Sequence, residues 1–278
     1  MGKITPIVSG FEYRFTLKGM NNKISLHFSI ECAFRDSYRV RFMFLEKMLQ
    51  SQGFGSRKHC QQLIKNGAIA IQGEVITNAK HKLDLNNLSF SVYGESFAYR
   101  EKVYIALNKP QDYECSHQAT HHFSVFDLFD DVLMNRGLQC VGRLDQDTSG
   151  LLLLTDDGQF LQALTHPKKH VAKVYQMQTA DPVTEQQIQQ LQQGVELRNE
   201  SGVFAATDVI QLAENELQLT IHQGVYHQVK RMLAAVGNKV ERLHRRQIGA
   251  LVLPELEQGK WIYLTEQQVE LAKTRMVI

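Results

Sequence analysis

The strongest constraint on this chain is the run Leu151-Leu152-Leu153-Leu154. It is entered through Gly142-Arg143-Leu144-Asp145-Gln146-Asp147-Thr148-Ser149-Gly150 and left through Thr155-Asp156-Asp157-Gly158. Consecutive leucines must be buried, since burying each one contributes roughly 1.5–3 kcal/mol. A buried run anchors the turn that precedes it, and this turn carries Arg143 and Asp145 between glycines, with Thr148, Ser149 and Gly150 as a tight polar exit. Aspartate in such a place is ordinarily a turn residue. Attached to a buried run, it can instead be a carboxylate held rigidly at the floor of a cleft, as nucleophilic catalysis requires.

With 278 residues the chain can bury a large core and divide into two domains. No apolar run approaches the roughly 20 residues of a membrane span. The start, Met1 to Pro6, lacks the apolar core of a secretory leader. Cys32, Cys60, Cys115 and Cys140 form no C-x-x-C pair. Free thiols, a reducing cytoplasm and no zinc site are therefore expected. A net charge of +2 is too small to argue for nucleic acid by itself. Its distribution says more: Lys230, Arg231, Lys239, Arg242, Arg245 and Arg246 face only Glu241 between His222 and Arg246, which reads as a basic patch for phosphates.

Residues 1–42 show no sustained helical or strand period and read as a poorly ordered extension. Residues 43–84 are regular. A short helix starts at Phe44-Leu45-Glu46-Lys47-Met48-Leu49, and Gly53-Phe54-Gly55 breaks it. Ser56 caps a second helix with Cys60, Leu63 and Ile64 on one face and Lys58, Gln62 and Lys65 on the other. Ala68–Ile71, the turn Gln72-Gly73 and Glu74–Thr77 make a hairpin. Residues 85–102 read as a polar linker. A larger unit spans 103–278, with strands expected at Leu151–Thr155, Val171–Thr179, Val203–Val209 and Leu217–His222. Helices are expected at Phe160–Thr165, Glu185–Gln193 and His227–Val236. Mixed elements without strict alternation predict an α+β fold with a mixed, mainly antiparallel sheet.

The first unit resembles the S4 RNA-binding domain through Ser56-Arg57, Ile64, Gly67, Ile71, Gly73 and Val75. The resemblance implies RNA contacts from Arg57, Lys58 and Lys65. That family usually opens with Arg-Leu-Asp-Lys where this chain has Phe44-Leu45-Glu46-Lys47, so one basic contact is missing. Met43 falls where related proteins begin.

Two further motifs carry chemistry. Lys173-Val174-Tyr175 in a strand puts Lys173 and Tyr175 on one face. In Gly224-Val225-Tyr226-His227-Gln228-Val229-Lys230-Arg231-Met232-Leu233, the helical stripe of Val229, Met232, Leu233 and Val236 is buried. Lys230 lies near the positive end of that helix and needs a carboxylate partner, for which Asp145 is the candidate. Together, Gly142–Gly158, Lys173–Tyr175 and His227–Arg231 resemble the RsuA branch of the pseudouridine synthases. The closing run from Val240 to Gly249 and the Asp156-Asp157 pair support the same branch.

The resemblance implies Asp145 as nucleophile, Lys230 as its basic partner, Tyr175 as the active-site tyrosine and Arg143 as a residue that holds the gap left by a flipped nucleotide. His227 and Arg231 would support the site or bind phosphate, and Asp147 would cap the loop or hold Arg143. It further implies 16S ribosomal RNA or a small-subunit assembly intermediate as partner, no cofactor or metal, no membrane, a monomer and a cytoplasmic location. Asp112 departs from the family's usual glycine, which leaves the loop geometry there open without touching a catalytic residue. Three other readings stay open on the residues: action on 23S rRNA, a non-catalytic ribosome-assembly factor, and a glycosidase acting on free nucleosides.

Overall fold

The computed structural model describes residues 41–274; residues 1–40, and with them nearly all of the expected extension, lie outside the described residues. The first unit runs β1 (Phe42–Phe44), α1 (Leu45–Ser51), α2 (Arg57–Lys65), β2 (Ile69–Ile71), β3 (Glu74–Val75), β4 (Lys82–Asp84), β5 (Ser89–Val92) and β6 (Glu95–Ala98). Ser56 accepts a hydrogen bond from His59 N and starts α2. Cys60, Leu63 and Ile64 are buried against Leu45, Met48 and Leu49 of α1, leaving Lys58 and Lys65 exposed. Gln72 and Gly73 both have positive φ, 51° and 86°, the backbone of a tight two-residue hairpin turn.

The linker expected at 85–102 is corrected. Strands β5 and β6 form a hairpin that joins β2 in a four-stranded sheet. Leu88, Phe90 and Val92 alternate with Ser89 and Ser91 and go into the core of the first unit. Phe54, Phe90 and Phe97 cluster there with ring centroids 5.0–5.7 Å apart. The serines conceal this period-two pattern, because polar residues on the outer face look like loop. What remains of the connection is tied down, since the Gln52 side chain pairs with both backbone groups of Arg100 at 2.9 and 3.0 Å.

The second unit continues with β7 (Tyr104–Lys109), β8 (Tyr113–Glu114), β9 (Phe123–Ser124), α3 (Asp131–Asn135), β10 (Gln139–Cys140), β11 (Thr148–Thr155), α4 (Gly158–Thr165) and β12 (Lys173–Thr179). It then runs α5 (Glu185–Gln193), β13 (Val195–Glu196), β14 (Val203–Phe204), β15 (Thr207–Ala213), β16 (Glu216–Ile221), α6 (Gln228–Ala235), β17 (Val240–Ile248), β18 (Leu251–Val252), β19 (Trp261–Tyr263) and α7 (Glu266–Lys273). The single strand expected at Val203–Val209 is two: β14 pairs with β13, and β15 with β16.

The main sheet has the order β15-β16-β12-β17-β11-β7-β19, with β10 paired to β11 and β18 to β17. It is antiparallel except where β11 runs parallel to β17. That explains the leucine run. Leu152 and Leu154 enter one core, with Ile188 of α5 and Met232 of α6. Leu151 and Leu153 enter the other, with Phe160 of α4 and Val269 of α7. A strand covered by helices on both faces has no polar side, so its apolar residues run without alternation. All four leucines are fully buried.

Candidate active site

The loop before β11 alternates outward and inward. Arg143 is exposed, Leu144 is buried in the core, Asp145 is half-buried and Asp147 is exposed. Leu144 is thus a pin between the two functional side chains, and its backbone N donates to Cys115 Sγ at 3.5 Å. Cys60, Cys115 and Cys140 are free thiols, and burial pushes the Cys60 thiol up.

Lys109 clamps the loop from below. It is fully buried, and its Nζ donates to the carbonyls of Pro110 at 2.9 Å, Gln146 at 3.2 Å and Thr148 at 2.9 Å. Burial lowers the Lys109 ammonium to about 8. Asp112 adds a fourth tie, with its backbone N donating to Gln146 O at 2.8 Å. Asp112 takes φ 65°, the left-handed backbone a glycine would adopt, and aspartate is among the residues that tolerate it. The position makes no bond to a catalytic candidate itself, and it ties the loop at the residue after Asp145.

Gly150 sits in β11 with Lys109 of β7 on one side and Arg245 of β17 on the other. A Cβ there would lie 2.3 Å from Arg245 O, so only glycine lets β17 come this close. Arg245 is 2% exposed and bonds Leu151 O through Nε at 2.8 Å. Its Nη2, like Thr148 Oγ1, finds no hydrogen-bond partner among the described residues. Both residues line the cleft over the loop.

Helix α6 brings the charge to Asp145. Lys230 Nζ lies 3.2 Å from Asp145 Oδ2 and 2.5 Å from Asp147 Oδ1. Asp147 therefore holds Lys230 and not Arg143, a correction with a plain cause: the loop turns both carboxylates toward α6. His227 Nε2 lies 3.3 Å from Asp145 Oδ1. His227 adopts φ 50° and ψ 32° just before α6, a backbone that is costly for a residue other than glycine and that tends to occur at functional sites.

A cleft of about 360 Å³ covers this constellation, lined by Arg143, Asp145, Lys173, Tyr175, His227, Lys230 and Arg245 among others. Tyr175 is 7% exposed and presents its ring to the cleft from β12. Lys173 lies two residues earlier on the same strand and donates to Val171 O at 3.1 Å. Burial, helped by the charge of Arg245, lowers Lys173 to about 8. The arrangement offers a carboxylate with a cationic neighbour, an aromatic wall and a positively charged rim. Such a set can hold a flat polar ring against an anionic group and accept phosphate.

The expected basic patch is divided, with Arg242 and Arg246 exposed and other members engaged elsewhere. Adjacent residues of β17 point to opposite faces, so Arg245 is buried while Arg246 is exposed. Lys239 pairs with Glu241 at 2.7 Å. Arg231, expected at the site or on phosphate, is engaged elsewhere: it bonds Glu200 at 3.1 Å, Tyr226 O at 3.0 Å and the Arg198 carbonyl. Arg57 bonds Glu46 at 2.9 Å yet stays 65% exposed. Gln61 and then Arg57 hold the Glu46 carboxyl below its usual range. Sequence reading assigns Lys109 no part and Arg245 only a place in the basic patch, because only strand pairing puts them beside the loop.

Residues 103–235 match the family model for RNA pseudouridylate synthase, and residues 45–88 that of the S4 domain. The chain is 39% identical over 231 residues to the ribosomal small subunit pseudouridine synthase A of Vibrio vulnificus (strain CMCP6), covering 82% of this chain and 98% of that one. It is 37% identical over 229 residues to the protein of that name in Escherichia coli (strain K12), with the same coverage. It is also 37% identical over 235 residues to an uncharacterized RNA pseudouridine synthase of Bacillus subtilis (strain 168), again covering 82% and 98%. A solved structure described as pseudouridylate synthase superposes with a TM-score of 0.59 at 36% identity, covering 83% of this chain and 99% of that one. A catalytic-type cleft with a paired carboxylate, matched domain by domain and across nearly the full length of its relatives, places this chain in the RNA pseudouridine synthase family.

Proposed function

We propose that this enzyme converts one uridine of 16S ribosomal RNA to pseudouridine, the uridine at position 516, with Asp145 as nucleophile. The observation that carries the reading is the Asp145 carboxylate fixed between Lys230 and His227 at the floor of a cleft walled by Tyr175. The isomerisation breaks the bond between C1′ and N1, turns the base and joins C1′ to C5. C5 loses its proton and N1 gains one, so no electrons or groups are exchanged with a donor.

Each residue has a part in that sequence. The target base leaves its stack to enter the cleft. Tyr175 stacks on it, and Arg143 on the exposed lip holds the gap it leaves. Asp145 acts at the sugar or base, and Lys230 balances its charge, since an unpaired carboxylate in a partly dry site costs several kcal/mol. Lys58, Lys65 and the exposed part of Arg57 grip RNA backbone from the first unit. Such contacts position the RNA and carry little sequence information, so target choice rests on shape and on the cleft. The partner is free 16S rRNA or a small-subunit assembly intermediate, met by a cytoplasmic monomer. Among the described residues no helix is long and apolar enough to cross a membrane.

Asp145→Asn is expected to reduce pseudouridine formation roughly a thousandfold or more while RNA affinity stays within a few-fold. Product formation by this variant at wild-type rate would remove Asp145 from its role. Pseudouridine mapping in cells lacking the gene is expected to show a loss in 16S rRNA. A loss in 23S rRNA instead would overturn the target.

A further inference from the structure

Tyr226 is 67% exposed although its neighbours on both sides are built into the site. Its ring lies flat on His227, with centroids 3.8 Å apart and planes 18° apart. His227 in turn reaches Asp145 Oδ1 at 3.3 Å. A column of phenol ring, imidazole and carboxylate therefore runs from solvent to the floor of the cleft.

The fold holds this column in place by two means. The left-handed backbone of His227, φ 50° and ψ 32°, sets the turn that stacks the rings. The Tyr226 carbonyl accepts from Arg231 Nη1 at 3.0 Å, and Arg231 is anchored in turn by Glu200 and the Arg198 carbonyl. His227 covers one face of the phenol ring, and the exposure leaves the rest to solvent, between Val225 and His227 in the chain, which both line the cleft. An ordered aromatic face beside a cleft that takes RNA is a stacking platform, since every nucleobase presents a π-face to it. Flipping a nucleotide unstacks its neighbours, and a fixed ring outside the cleft restores one of those stacks.

We propose that Tyr226 is a positioning residue that stacks a nucleobase next to the flipped uridine, with Arg231 holding it in place. The inference rests on the RNA reading above and adds a second contact point outside the cleft. Stacking is independent of the phenol hydroxyl, so phenylalanine and tryptophan serve where alanine does not.

The test uses the full chain with a 16S rRNA transcript carrying tritium at uridine C5, whose release follows turnover. Tyr226→Ala is expected to raise KM roughly 5- to 100-fold with kcat within twofold, the range expected for one base–aromatic stack. Tyr226→Phe and Tyr226→Trp are expected to restore wild-type KM. Thermal unfolding of all three is expected to match wild type, because the side chain is mostly in water. In parallel, Tyr226→Trp fluorescence is titrated with the transcript against the wild-type protein, whose Trp261 supplies the background. Quenching beyond that background is expected. An unchanged KM in Tyr226→Ala, a loss that Tyr226→Phe does not rescue, or no added quenching would overturn the proposal. A wild-type protein that releases no tritium, with quenching intact in Tyr226→Trp, would instead sink the uridine-isomerase reading and leave the stacking platform standing.

Discussion

The two units use cations in opposite ways. In the first, Lys58 and Lys65 stand in water on a helix face, and Arg57 is only partly engaged with Glu46. In the second, Lys109 and Arg245 are buried and bonded to backbone carbonyls, and Lys230 is shared between two carboxylates. Exposed cations act additively through long-range attraction that salt screens. Buried ones act through geometry and fail when a single neighbour moves. The first unit can therefore tolerate substitution of its charges, while the second cannot tolerate a change in the packing that places them.

The sharpest way to break this contrast is Gly150→Ala, which adds no charge and removes none. Its Cβ would meet Arg245 O at 2.3 Å and force β11 from β17. Destabilisation of roughly 3 kcal/mol or more is expected from the overpacking and the positive φ, read from the urea midpoint, with activity lost in parallel. Wild-type stability in this variant would mean the two strands are not held as closely as drawn.

Lys109→Met comes next. It takes the lysine donor from the carbonyls of Pro110, Gln146 and Thr148, of which Gln146 keeps its bond from Asp112 N, while removing a buried charge that was itself costly. A net loss of about 2 kcal/mol and a kcat reduced about tenfold or more are expected.

The same residue gives a pH signature. Lys109 is lowered to about 8 from its ordinary 10.5, so between those values the unfolded chain holds a proton that the folded one has released. Stability should therefore rise with pH across that window. Lys173, also at about 8, contributes in the same direction. Activity should fall over the same window, because a neutral amine has two N–H groups for three carbonyls. In Lys109→Met that activity limb should vanish and part of the stability rise should remain. Chemical denaturation and kcat, each at pH 7.5 and 9.5, are the measurements.

A smaller effect is expected from Lys58→Ala with Lys65→Ala. RNA affinity should weaken and the slope of log affinity against log salt should fall by roughly 0.7 to 0.9 per charge, with kcat unchanged. A loss of kcat would mean the first unit does more than grip. The smallest effect is expected from Asp112→Gly, which keeps the left-handed backbone and the bond to Gln146 O. Activity should be unchanged and stability should shift by less than about 1 kcal/mol.

Local patterns explain what was legible beforehand. Helix α5 is marked by Thr184 and Gln187, which cap it reciprocally, and its expected bounds coincide with those observed. The hairpin at Gln72-Gly73 and the stripe of Val229, Met232 and Leu233 were equally local. The pairing of Asp145 with Lys230 followed from a cation placed at the wrong end of a helix dipole. The features that local patterns conceal share a cause of the opposite kind. The hairpin of β5 and β6 hides behind its serines, and β17 sends neighbours in the basic run to opposite faces. The charge of Arg231 points to phosphate, although the position of Glu200 decides what that charge does.

The sequence by itself determined helices α2, α5 and α6, the hairpin at Gln72-Gly73, that the leucine run is buried, and that a loop with Arg143 and Asp145 precedes it. Those properties depend on side-chain periodicity and turn chemistry within a dozen residues. Only the tertiary structure decided that Lys109 and Arg245 flank Gly150, that Asp147 belongs to Lys230, and that Tyr226 stands open beside the cleft. Those facts depend on the register between β7, β11 and β17 and on how α6 lies over the loop. Register between strands is set by the packing of both cores at once, which no short stretch of the chain records.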